Sequence, residues 1–172
     1  KIDPQLKSII ELNPDALAIA DQMDKERKAG KLRGPLHGIP VVLKDNIDTA
    51  DLPTTAGSVL LEGSVPPDDA SIVKRLREAG AIVIGKSNMS EFASGAPQSS
   101  LGGRMRNPHD PERSALGSSG GTGIAIAALV MVGGTELLRQ LDFLKAVFGN
   151  DFTPELYRML IFGLAMVVIM LY

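Results

Sequence analysis

The stretch DDASIVKRLREAGAIVIG, residues 68–85, decides how this chain folds. Its first half sets Ile72, Val73 and Leu76 at helical spacing among Lys74, Arg75, Arg77 and Glu78. That pattern predicts an amphipathic helix capped by Asp68-Asp69, with the three apolar residues inside and Gly80 at its end. The second half, Ala81 to Gly85, reads as a strand. Toward the N-terminus, Gly38-Ile39-Pro40-Val41-Val42-Leu43 is another buried strand, and it delivers Lys44-Asp45-Asn46 at its C-terminal end. Strand, helix and strand in that order predict a parallel α/β layer. Farther upstream, Ala16, Ile19, Ala20 and Met23 mark a helix that stops at Gly30. Asn13-Pro14-Asp15 supplies its cap and first turn, and the apolar run Leu6 to Leu12 before it reads as a strand.

The chain has 172 residues, 44% of them hydrophobic, enough for the core of one ordinary domain. A net charge of -2 offers no excess of positive charge to hold nucleic acid or acidic lipid. There is no cysteine, and the only histidines, His37 and His109, stand far apart, which argues against a zinc centre or a disulfide framework. No metal or other cofactor is therefore expected. The start, KIDPQLKSII, lacks the apolar core of an export signal, so a cytoplasmic setting is expected for this part.

Composition changes abruptly after Gly123. Of 38 charged residues, 31 lie at or before that point; six of the seven aromatics lie beyond it, and every serine lies before it. Two units are expected, 1–123 and 124–172. Within the first, the Gly-, Pro- and Ser-rich stretch from Gly95 to Gly123 has no periodicity, and so long a loop in a compact domain usually carries function.

Two features could do chemistry. Lys44 follows a fully apolar strand, at the edge of a core, where desolvation disfavours the charged ammonium and can make lysine a base; a lysine there can equally snorkel to water. Gly117-Ser118-Ser119-Gly120-Gly121-Thr122-Gly123 stands directly before a helix, where glycines bring amide groups close to a ligand and two hydroxyls sit at the helix start. A flexible linker has the same composition. Sharper readings fail. No histidine follows His109, so a nucleophile elbow has no triad; the segment lacks the lysine of a phosphate-binding loop; and Ser71-Ile72-Val73-Lys74, an S-x-x-K match, has no accompanying Lys-Thr-Gly.

Taken together, GPLHGIPVVLKDNIDT, the Thr-Thr-Ala-Gly-Ser at 54 to 58, DDASIVKRLREAGAIVIGKSNMSEFA, the Asn107-Pro108 turn and GSSGGTG resemble the amidase signature family of serine hydrolases. The resemblance implies a partial amidase-type α/β sheet with flanking helices, followed here by an apolar helical tail. It also implies cleavage of a carboxamide C–N bond in a small amide by lysine, a cis-serine and a nucleophilic serine, without a metal. Lys44 is then the base and Ser118 the bridging serine, in a turn whose cis peptide would be strained. The family's nucleophile lies in a second Gly-rich segment about two dozen residues beyond the bridge, near Asp142 here. Neither the glycines nor a serine is present, and no serine exists after Ser119. The resemblance therefore implies an incomplete triad and an inactive chain.

Residues 124–172 resemble instead the C-terminal membrane portion of branched-chain amino-acid ABC transporter permeases. Their uncharged runs, Thr122 to Thr135 and Met159 to Tyr172, are each shorter than the roughly 20 residues that span a bilayer. On this reading the chain is a truncated, chimeric amidase fragment whose tail can associate with a membrane. Two alternatives follow: a non-catalytic membrane-associated fragment, and a fragment of the amidase-like component of a tRNA-dependent amidotransferase that works with partner subunits. A sheet cut short would also expose strand edges and an apolar face, and so aggregate.

Overall fold

The computed structural model describes residues 3–131. Its elements in order are α1 (Asp3–Leu6), β1 (Ile9–Leu12), α2 (Ala16–Lys28), β2 (Pro40–Lys44), α3 (Ser71–Glu78), β3 (Ile82–Ser87), the short pair β4 (Gln98–Ser99) and β5 (Gly103–Arg104), and α4 (Gly120–Leu129). The chain divides into two units, 1–125 and 126–172. The first holds every element up to the start of α4. The permease-like tail expected over 124–172 lies outside the described residues from 132 onward.

β3 is the centre of a three-stranded sheet ordered β1-β3-β2. β2 runs parallel to it, as the strand–helix–strand pattern predicts, and sets Lys44 opposite Ser87. β1 runs antiparallel, so the sheet is mixed rather than wholly parallel. The reason lies at the N-terminus. The run read as one strand breaks into α1 and β1 at Lys7, whose φ of +58° turns the chain back along β3.

α3 lies on the sheet through one stripe. Val73 is fully buried, and it joins Leu43, Leu52 and Val83 in the main core, with Val41, Ile47, Ala70 and Leu76 packed against it. Each fully buried Val or Leu stabilises the fold by roughly 1.5–3 kcal/mol. Ile72, expected inside, is 54% exposed. Ala70, Val73 and Leu76 stand three apart on one face, and Ile72 falls about 100° off it. Asp69 does not cap α3 either. The N-cap is Ala70, while the Asp69 carboxylate accepts from the Ala50 amide at 2.8 Å and pairs with Arg77 at 2.9 Å. It ties the end of α3 to the loop after β2 instead.

Asn13 also does something other than cap. Its Nδ2 donates to the Val83 carbonyl at 2.8 Å, and its Oδ1 accepts from the Asp15 amide at 2.9 Å. α2 consequently begins at Ala16 with Met23 buried beneath it, while Arg33 in the following loop grips Glu26 with two hydrogen bonds of 2.7 Å. The long 95–123 loop contains one small hairpin, β4 with β5, and buries Met105.

Candidate active site

Lys44 is the last residue of β2 and half-buried. Parallel pairing carries it to the C-terminal end of the sheet, where ligand sites of α/β folds form. Directly beyond, the Asp45 amide donates to the Ser87 carbonyl of β3 at 3.2 Å, and the Ile47 amide closes a turn on the Lys44 carbonyl at 3.0 Å. Ser118 lies in the turn before α4, and the Gly117–Ser118 peptide bond is cis. The Ser118 carbonyl accepts from the Ser90 amide at 3.1 Å. Lys44 and Ser118, 74 positions apart, meet: Lys44 Nζ donates to Ser118 Oγ at 2.6 Å. Ser119, the other hydroxyl of the pair, is exposed.

The first turn of α4 is docked on the exit of β3. Gly121 N–H donates to the Asn88 carbonyl at 3.1 Å, and Thr122 Oγ1 lies 2.8 Å from Ser87 Oγ. A Cβ on Gly121 would stand 2.2 Å from the Asn88 carbonyl oxygen and 2.4 Å from that of Ser8, so only glycine lets the helix come this close. Gly120, whose Cβ would stand 2.9 Å from Met105 Sδ, and Gly121 thus serve the docking, in place of the flexibility of a linker.

Sequence reasoning missed the polar layer behind Lys44. Lys86 and Asp45 are both buried, their charges 3.5 Å apart. Lys86 Nζ also donates to Thr54 Oγ1 at 2.8 Å and to the Pro53 carbonyl at 3.0 Å. Desolvation by burial pushes its pKa down from 10.5, against the opposing pull of Asp45. Asp45 Oδ2 accepts from the Thr55 hydroxyl and from the amides of Thr55 and Gly57, both at 3.2 Å. The pair therefore fastens the Thr54–Gly57 segment to the residue next to Lys44. Asn88 does the same on the other side, donating to the Lys7 carbonyl at 2.9 Å and accepting from Ser99 Oγ at 2.9 Å. The available signal was a lysine inside an apolar strand, which needs a buried carboxylate partner. The nucleophile position near Asp142 lies outside the described residues.

The sequence model of the family described as Amidase matches residues 1–135. The chain belongs to the amidase family. The match runs past the compositional break at Gly123. This amidase-family chain is 53% identical over 114 residues to a glutamyl-tRNA(Gln) amidotransferase subunit of Rhodopirellula baltica, covering 66% of the chain and 23% of that protein. Among solved structures it resembles native peptide amidase from Stenotrophomonas maltophilia, with a TM-score of 0.71 and 50% identity, over 74% of the chain and 28% of the enzyme. It also resembles the corresponding glutamyl-tRNA(Gln) amidotransferase subunit from Thermotoga maritima, with a TM-score of 0.60 and 35% identity, over 74% of the chain and 26% of that protein. The chain spans about a quarter of the length of the curated relatives it matches. Among the described residues, no helix is long and apolar enough to cross a membrane.

Proposed function

We propose that this amidase-family chain carries the base and bridge of an amide-hydrolysing proton relay, Lys44 and Ser118, and lacks the attacking serine. The observation that carries the reading is the 2.6 Å contact between Lys44 Nζ and Ser118 Oγ. In a complete relay, Lys44 as base takes the Ser118 hydroxyl proton while Ser118 takes one from the attacking hydroxyl, which adds to the amide carbonyl. The proton then returns along the same path to the leaving nitrogen, so the C–N bond breaks as ammonia or an amine forms. A single bridge lets one lysine serve both transfers. Near Asp142, where the family resemblance places the attacking serine, the sequence has neither a serine nor the glycines around it, and removing a nucleophile leaves little of such an enzyme's rate.

The test is mass spectrometry of the full chain after reaction with a fluorophosphonate, beside Lys44→Ala and beside an assay of amide turnover. The expected result is slow phosphonylation of Ser118 that Lys44→Ala abolishes, with no turnover of a peptide amide. Labelling of Ser118 that survives Lys44→Ala removes lysine as its base; measurable turnover removes the incomplete relay.

A second reading rests on the 53% identity to an amidotransferase component. It makes the chain part of a subunit that releases ammonia for aminoacyl-tRNA in company with partner subunits. Copurification with such partners separates it from a free-standing hydrolase of small amides.

A further inference from the structure

We infer that Ser90 is a positioning residue for Ser118, an assignment that rests on the relay reading given above. Ser90 is fully buried just beyond the end of β3, and its Oγ has no hydrogen-bond partner among the described residues. An unpaired buried hydroxyl costs stability, so it calls for a reason other than stability. Its place supplies one. The Ser90 amide holds the Ser118 carbonyl at 3.1 Å, and its side chain fills the space behind the same turn. A Cβ built on Gly117 would stand 2.1 Å from Ser90 Oγ and 2.7 Å from the Gly95 carbonyl oxygen. Ser90 Oγ thus occupies the volume into which the Gly117–Ser118 turn would otherwise move. Lys44 holds Ser118 from the front, and Ser90 backs it.

Ser90 differs from a stability residue in what its loss does. Ser90→Ala keeps the amide that holds Ser118 and deletes only an oxygen that has no hydrogen-bond partner among the described residues, so the melting temperature should stay level or rise. The turn, no longer backed, moves away from Lys44. A misplacement of a fraction of an ångström to one ångström lowers the rate of Lys44-dependent phosphonylation of Ser118 by about tenfold or more.

A second readout does not need Ser118 to react. In trace labelling of the full chain with acetic anhydride, the acetylation of Lys44 is measured against the exposed Lys25 and Lys28 as internal standards. Ser118→Ala sets the change expected when the contact is lost altogether. Ser90→Ala should move Lys44 reactivity in the same direction by at least half as much. Gly117→Ala, which presses on the same contact from the other side, should also move it, and adding Ser90→Ala to Gly117→Ala should recover part of the loss, because it clears one of the two clashes.

Wild-type Lys44 reactivity in Ser90→Ala, with Ser118→Ala changed, overturns the role of Ser90 and leaves the relay standing. Lys44 reactivity that Ser118→Ala leaves unchanged overturns the relay contact, and the role of Ser90 falls with it. If Ser90→Ala does not fold, the side chain is structural and the inference is wrong; Gly117→Ala then reports independently whether the contact bears on Lys44.

Discussion

Gly121 and Gly123 lie on one helix, two residues apart, and alanine at each should act in opposite directions. At Gly121 the new Cβ meets three main-chain atoms: the Asn88 oxygen at 2.2 Å, the Ser8 oxygen at 2.4 Å and the Asn88 nitrogen at 2.7 Å. Ordinary contact begins at 3.4 Å, so α4 must withdraw by roughly 1 Å, and no side chain can rotate to spare it. Withdrawal breaks the 3.1 Å bond from Gly121 N–H to the Asn88 carbonyl, a loss of about 1 kcal/mol. Alanine's better helix propensity returns about the same amount, which leaves the overpacking itself, about 3 kcal/mol for a clash against main chain on two sides. At Gly123 no described atom lies within 4 Å beyond the helix's own turn, and the residue is exposed. Alanine there should stabilise by about 0.5–1 kcal/mol. Urea unfolding of the full chain, followed by far-ultraviolet circular dichroism, compares the midpoints at constant slope. Gly121→Ala melting at or above wild type, or the two variants shifting together, would refute the docking of α4 on Asn88 and Ser8.

The buried Asp45–Lys86 pair should respond unequally to removal of its two halves. Asp45→Ala leaves Lys86 buried without its counter-ion and the Thr55 and Gly57 donors without their acceptor, a loss of about 3–5 kcal/mol, whereas Lys86→Met leaves Asp45 with those donors and should cost less; urea midpoints in the reverse order contradict the arrangement. Because burial lowers the Lys86 pKa from 10.5, the unfolded chain holds that proton through a range where the folded one has shed it. Stability should therefore rise with pH through the window just below 10.5, and Lys86→Met should flatten that rise in melts taken from about pH 8 to about pH 11. On the surface, the two hydrogen bonds from Arg33 hold the Glu26 carboxyl at about 2, down from 4.5. That contribution is complete above 4.5 and is lost as pH falls toward 2; carbon NMR should find the Glu26 midpoint near 2 and, in Arg33→Gln, back toward 4.5.

What could be read from residues alone follows from how local each signal is. The α2 pattern and the β2 and β3 runs are each written within about a dozen neighbouring residues and occur where periodicity places them, and the serine turn is marked by its glycines and the helix that follows. Lys44 at a strand end and Ser118 at a helix start were legible in the same way. Their 2.6 Å meeting was not, because it depends on β2 pairing with β3 and on α4 docking at Asn88, contacts between segments tens of residues apart. Lys86 inside an apolar strand signalled a buried carboxylate partner, but that the partner is Asp45, and that Ser90 is buried, depend on the same distant contacts.

The direction of β1 is the most consequential of the differences, since strand polarity is not encoded in an apolar run. An antiparallel β1 sets the Ser8 carbonyl against the Asn88 amide at 2.8 Å, at the point where β3 ends. The same Ser8 carbonyl, with that of Asn88, forms the floor on which Gly121 rests. Ser118 stands three residues before Gly121, so the height of its hydroxyl over Lys44 is set by how closely α4 can approach this floor. A parallel β1 would enter the sheet from the opposite end and leave Asn88 without its partner there. The strand whose direction the pattern could not supply is therefore part of what brings the serine to the lysine, and the site requires the N-terminal chain from Ser8 onward as well as Lys44 and Ser118.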